Sequence, residues 1–291
     1  MGDAARVVRT THPPSGPSGT FAPVSIPIPK SISPSSISQF QSCPLAFRFA
    51  YIERLPQDPS PAASKGTLVH RALELLMQRD AAARTVEAAL DDLVLARAQL
   101  AEDPDFTGLD LTDEEWTAFH ADAEVLVRRY FDLEDPTTIE PIGLELKLEA
   151  TVGRATVRGV IDRLERDAEG RLIVSDYKTG RAPHPNYQNQ RLAGVNLYAL
   201  MVAEHYGELP ARVQLLHLQE PIAIVAETSE QQARGVGRKT EAVWDAIGTA
   251  CQRGEFRPKA SKLCDWCSFR QFCPEFGGDP QDALDLVARD D

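Results

Sequence analysis

The chain of 291 residues has no apolar run long enough to cross a bilayer, which excludes an integral helical membrane protein. It also lacks the short apolar core of an export signal. Pro, Ser, Gly and Thr dominate residues 11–36 instead, so a cytosolic protein with a disordered leader over 1–35 is expected. There is no Walker-type phosphate loop or helicase motif, so any motor would be a separate chain. Cysteine is scarce at five, an odd number that argues against a disulfide framework and for metal ligation or free thiols. Basic residues are in deficit, 31 Lys and Arg against 43 Asp and Glu. What remains is ordinary for a globular protein: 43% hydrophobic and 25% charged, enough for one substantial core with or without a small accessory lobe.

The deficit of positive charge is local. Residues 80–145 hold 18 acidic against 4 basic residues, and the remainder holds 25 against 27. The acid is thus confined to one stretch, and charge neither supports nor excludes a nucleic-acid partner.

Organisation follows from the apolar periods. A helix is expected from Ser36-Ile37-Ser38, a serine capping a run with Phe40, Leu45, Phe47 and Phe49. Residues 56–65 read as a loop, and Gly66 opens the next helix, with Val69, Ala72, Leu73 and Leu76 as its stripe. Helices at about 85–101 and 112–132 form a helical insert spanning about 80–140. From 142 the period changes to two: Leu144, Leu146 and Leu148 alternate with Glu145, Lys147 and Glu149, a half-buried strand. Strands 155–165 and 171–178, helix 187–206, strands 213–218 and 222–226, and helix 229–252 follow. This is an α/β chain, and an acidic, loose tail is expected over 277–291.

The chemistry concentrates at Val174-Ser175-Asp176-Tyr177-Lys178-Thr179-Gly180, a strand ending in a turn. Residues two apart share a strand face, so the Asp176 carboxylate and the Lys178 ammonium point the same way. Asp162, in the preceding strand, offers a second carboxylate, and the set suits a divalent cation held beside a phosphate. His70 flanks its helix stripe; alone, such a histidine is more often structural than a ligand. Glu145 is a possible third carboxylate, although an exposed strand residue is the safer reading. Gln190, Gly194 and Tyr198, spaced by four, share a helix face that would meet DNA or support the metal site, or else pack against the sheet.

A second constellation is Cys264-x2-Cys267-x5-Cys273, flanked by aromatics and proline. Three thiols need a fourth to complete a four-cysteine site, and Cys43-Pro44, 221 positions upstream, is the best candidate. Ligation would staple the first ordered helix to the C-terminal segment. Cys251 has no motif partner and reads as a plain thiol.

Together these pieces resemble the RecB-like branch of the PD-(D/E)xK nucleases that carries an iron–sulfur cluster. AddB-type helicase–nucleases and the iron–sulfur exonuclease of CRISPR adaptation belong to that branch. The resemblance covers about 36–275 and rests on order: Cys43-Pro44, Gly66-x-x-x-His70, Gly159-x-x-Asp162-Arg163, Asp176-Tyr177-Lys178-Thr179-Gly180, Tyr198, then the three cysteines. It implies a restriction-endonuclease-like core, a mixed central sheet flanked by helices, with the helical insert and a four-cysteine metal-cluster staple (260–275 plus Cys43). It implies Mg²⁺ or Mn²⁺ bound by His70, Asp162, Asp176 and the Tyr177 carbonyl, with Lys178 acting on the attacking water and the phosphate. Cys43, Cys264, Cys267 and Cys273 would hold a 4Fe–4S cluster, zinc being the alternative occupant. The implied function is an exodeoxyribonuclease acting on DNA ends or single strands, cytoplasmic and prokaryotic or phage-like, with a helicase, repair or CRISPR partner. The alternative is a nuclease-fold DNA-binding subunit of such a complex. Relatives commonly have a glutamine where this sequence has Gly194, with Gln190 one turn further back.

Overall fold

The computed structural model of the chain describes residues 26–284. Five strands form one mixed sheet in the order β1 (Glu140–Val152), β2 (Ala155–Arg166), β3 (Leu172–Lys178), β4 (Arg212–His217), β5 (Ile222–Glu227). β1, β2 and β3 are antiparallel neighbours, and β5 runs antiparallel to β4. The β1–β2 turn places Gly153 at φ +60°, a left-handed conformation that glycine adopts without strain. β3 and β4 are parallel, so a hairpin cannot join them. The crossover is helix α7 (Gln188–Tyr206). β3 is buried on both faces from Leu172 to Tyr177, the property of a central strand.

Each face of the sheet carries its own core. On one, Leu164, Val174, Val213 and Leu215 pack with Val195 and Met201 of α7, with Ile247 of helix α8 (Glu230–Arg253), and with Phe47 and Phe49. On the other, Tyr177 and Leu216 pack with a helical layer. This layer is helix α3 (Pro61–Gln78) overlaid by α4 (Val86–Leu100) and α6 (Asp113–Tyr130), with the short α5 (Pro104–Thr107) between them. The acidic insert is therefore half of the fold's second core, carrying Ala89, Phe119, Ala123 and Tyr130 at its buried positions. Most of its charges lie on the opposite stripe, buried Arg84 and Asp92 (paired with Arg79) excepted, and the first turn of α6 holds Asp113, Glu114 and Glu115, where the helix dipole favours them.

Four expectations are corrected. Packing begins before residue 36: the Ile26 amide bonds the Cys251 carbonyl, and Ile32 bridges to β2 beside Val157. The first helix, α1 (Pro34–Ser42), is capped by Ser33, with Ser36 as the reciprocal partner of a capping box. It breaks at Cys43, whose extended backbone is followed by Pro44 opening α2 (Pro44–Phe47). α3 starts at Pro61 rather than Gly66, because proline at the first helical position needs no amide partner. The tail does not come loose at 277, since Ala283 is fully buried in the first core. Residues 1–25 and 285–291 of the expected leader and tail lie outside the described residues. Among the described residues no helix is long and apolar enough to cross a membrane.

Candidate active site

The site lies where β2 separates from β3. The β2–β3 ladder pairs Arg166 with Leu172 and stops at Arg163–Ser175, whereas β3 stays paired with β4 as far as Lys178 and His217. Beyond the break, the Tyr177 amide donates to the side chain of Asp162, 2.7 Å to Oδ2. That bond fixes the Asp162 carboxylate at the strand fork. Asp176 and Lys178 share a face of β3, and the ammonium closes on the Asp176 carboxylate as the period-two reading predicted. Asp176 Oδ2, the oxygen that the ammonium meets, is buried, so Lys178 supplies its counter-charge.

α3 brings His70 to the fork. Its Nε2 lies 3.0 Å from the Tyr177 carbonyl oxygen and its Nδ1 3.5 Å from Asp162 Oδ2. The third arrival is Glu145, which the strand alternation had placed among exposed carboxylates. Glu145 has φ +43°, a left-handed conformation that is costly for a residue with a side chain. The kink switches the faces of β1: Leu144 packs against the α3 core, and Leu146 and Leu148 against the opposite one. Glu145 is thereby half-buried beside its cross-strand neighbour Asp162. One ligand atom from each of His70, Glu145 and Asp162 lies within 4.8 Å of the others. Asp176 stands outside this trio, turned to Lys178.

Crowding of carboxylates away from water shifts their titration. Burial, then the charge of Asp176, pushes Asp162 up to about 7. Burial, then Asp162, pushes Glu145 up to about 6, and burial holds His70 below its ordinary value. A site that disfavours its own ionised carboxylates is suited to a cation that restores them. The donors, two carboxylates and an imidazole with a backbone carbonyl alongside, fit Mg²⁺ or Mn²⁺.

Behind the site is an ionic network that the sequence reading did not find. The fully buried Arg163 donates to both Glu134 oxygens at 2.9 and 2.8 Å and to the hydroxyls of Tyr177 at 2.8 Å and Ser175 at 3.2 Å, and it pairs with Glu165. Gln214 of β4 bonds the same Glu134 and Ser175. These bonds tie three strands to the end of α6 and fix the Tyr177 side chain, opposite the carbonyl that faces His70. His217, also unanticipated, lies 3.3 Å through Nδ1 from the Gly180 carbonyl and so steadies the turn after Lys178. A strand-end histidine without a motif gives no sequence signal.

On α7, Tyr198 lies over β2. A Cβ at Gly159 would come within 2.7 Å of its ring, which explains the glycine. Burial, then the Asp176 and Asp162 charges, raises the Tyr198 hydroxyl well above its usual range, so it stays a donor beside the carboxylates. Gly194 is one turn earlier, with open space around it: a Cβ there would meet only Pro34, at 3.8 Å. The backbone of Gln190 is helical, and its side chain lies outside the described residues.

The four cysteines meet elsewhere. Cys43, at the α1–α2 break, lines a cavity of about 460 Å³ with Cys264, Cys267 and Cys273. Phe49 packs on Phe269 and Phe272, with ring centroids 5.5 and 6.1 Å apart, holding the C-terminal segment against the first helices. Burial, with the neighbouring thiols, raises Cys267 and Cys273. Cys251 is buried apart from them, near the Pro27 carbonyl.

The "Gene 69 protein" of Mycobacterium phage D29 is 28% identical over 197 residues, 60% of this chain and 70% of the relative. A solved structure named "Putative exonuclease", from Eubacterium rectale, shares 14% identity and a TM-score of 0.48, covering 82% of this chain and 87% of its own. The sequence profile of the PD-(D/E)XK nuclease superfamily matches residues 31–274, and the chain belongs to that superfamily of phosphodiester hydrolases.

Proposed function

We propose that the chain is a metal-dependent exodeoxyribonuclease of the RecB-like branch, acting on DNA ends or single strands. The observation that carries this reading is the meeting of His70, Glu145, Asp162 and the Tyr177 carbonyl beside the Asp176–Lys178 pair. His70, Asp162, Asp176, Glu145 and the Tyr177 carbonyl would hold Mg²⁺ or Mn²⁺. When bound, the cation supplies an acidified water and a counter-charge for the phosphate. Lys178, part-exposed at the strand end, orients the attacking water and balances the charge that grows on the phosphate oxygens. Tyr198 would offer its hydroxyl to this cluster, and the Arg163 network holds the strand fork in register.

Cys43, Cys264, Cys267 and Cys273 would carry a 4Fe–4S cluster with a structural role. The C-x2-C-x5-C spacing with a fourth cysteine in the same cavity supports this reading, zinc being the alternative occupant. A helicase, repair or CRISPR-related partner would direct the nuclease to its substrate.

The test is digestion of end-labelled single-stranded DNA by anaerobically purified protein, with Mn²⁺, with EDTA, and with Lys178→Ala. Metal-dependent cutting is expected to fall at least about a hundredfold in the variant, with DNA binding kept. A variant that cuts at the parent rate would remove Lys178 from the chemistry.

A further inference from the structure

Trp266 is 87% exposed and its neighbour Leu263 is 65% exposed. The indole is not on a loose loop. It ends the 3₁₀ turn Lys262–Trp266, which is capped by the Ser261 hydroxyl accepting from the Leu263 amide at 3.2 Å, and both flanking cysteines line the four-thiol cavity. A rigid ring presented to water is a recognition element rather than a packing one.

The surrounding charge indicates what it recognises. Residues 253–270 hold five basic residues, Arg253, Arg257, Lys259, Lys262 and Arg270, against two acidic ones, Glu255 and Asp265. This local balance of +3 stands in a chain of net charge −12. Lys259 and Arg270 line the same cavity as Trp266, with Glu275 as its one carboxylate; Arg270 also pairs with Asp265 at 3.7 Å and lies over the Phe276 ring. Position relates the groove to the proposed site. Ser35 of α1 lines it, and also lines a second groove whose walls include Tyr198 and, from β2, the strand that carries Asp162, Gly159 and Val160. The two grooves thus meet at α1.

We propose that the Arg253–Arg270 segment is a stacking platform for single-stranded DNA, with Trp266 taking a base and the cations following the phosphates of a strand led along α1 from the catalytic fork. Only unpaired bases can offer a ring face to the indole, so the platform selects single strands over duplex. This deepens the nuclease reading and rests on it for the direction of the strand.

The experiment is fluorescence anisotropy with the full chain, purified anaerobically and held in EDTA so that nothing is cut. Parent, Trp266→Ala and Trp266→Phe are titrated against oligothymidylate of about twenty nucleotides, an abasic oligomer of equal length, and a blunt duplex. Trp266→Ala is expected to bind oligothymidylate about tenfold more weakly, about 1.4 kcal/mol, with Trp266→Phe within about threefold of the parent. The abasic strand and the duplex should bind all three proteins alike. Equal affinity of Trp266→Ala and the parent for oligothymidylate overturns the platform, and so does an equal loss on the abasic strand. Cleavage of a nitrophenyl ester of thymidine monophosphate, which fills only the reacting centre, separates the two readings. A parent that fails to cut it yet shows the Trp266 effect sinks the nuclease and keeps the platform. A parent that cuts it, with Trp266→Ala binding DNA normally, does the reverse.

Discussion

His70 lies between two oxygens, with Nε2 3.0 Å from the Tyr177 carbonyl and Nδ1 3.5 Å from Asp162 Oδ2. A carbonyl can only accept, so in the cation-free protein the imidazole proton belongs on Nε2. The bare lone pair of Nδ1 then faces a carboxyl oxygen, which is favourable when Asp162 keeps its own proton. The opposite shifts of the two groups, Asp162 up and His70 down, agree with this neutral pair. Cation binding must expel the Asp162 proton.

Stability should therefore depend on pH in opposite senses with and without metal. Asp162 titrates near 7 in the fold against about 3.8 in the open chain. Its protonated form is the one the fold favours, so its contribution is full below about pH 4 and lost as pH rises through 7; Glu145, near 6, acts in the same sense. His70 opposes them only as pH falls through its open-chain value of 6.5. From pH 8 to 6.5 the protein in EDTA should gain about 1 kcal/mol, or roughly 2–4 °C in Tm. With Mn²⁺ the stabilisation should instead grow with pH. Thermal scans of the parent and Asp162→Asn check this, and a slope unchanged in Asp162→Asn refutes it.

Glu145→Gly separates strain from ligation. Glycine adopts φ +43° freely, so the variant in EDTA should be as stable as the parent or more stable, by about 1 kcal/mol. Its Tm rise on adding Mn²⁺ should shrink by at least half, and Glu145→Gln should show the same loss without the stabilisation. A full Mn²⁺ response from both variants would take Glu145 out of the cation site.

Most of the architecture was legible because its signals are local. The two-residue period gave β1 and the apolar run gave β3, and the Asp-x-Lys spacing placed Asp176 and Lys178 on one face. The partial burial of Glu145 was missed for the same reason: alternation assumes an unbroken strand, and one left-handed residue reverses it. The Arg163 network was invisible because its partners, Glu134 and Gln214, come from a helix end and a strand far along the chain. The start of α3 was hidden by Pro61, which serves loops and first helical turns equally well.

Cys267→Ala tests the staple. The four thiols join the α1–α2 break to a segment more than two hundred residues later, a closure that ligation would enforce. If these thiols hold the proposed cluster, losing one ligand should remove most of the iron and its visible absorbance and lower stability by about 3 kcal/mol, roughly 6–12 °C in Tm. A variant with parental iron and Tm would exclude Cys267 as a ligand.

Gly194→Gln addresses the departure in α7. The position is one turn before Tyr198, and a Cβ there finds only Pro34 of α1 at 3.8 Å. The glycine is thus not required by packing, and its φ is not left-handed. Replacing a glycine inside a helix by a better helix former should stabilise by about 0.5–1 kcal/mol. The amide, one helical turn from Tyr198, would add a donor without displacing a neighbour. Cleavage by the variant should equal or exceed that of the parent, with a raised Tm. If Tm rises but cutting falls tenfold, the open space beside Gly194 is needed by the DNA itself, and the glycine is part of its path.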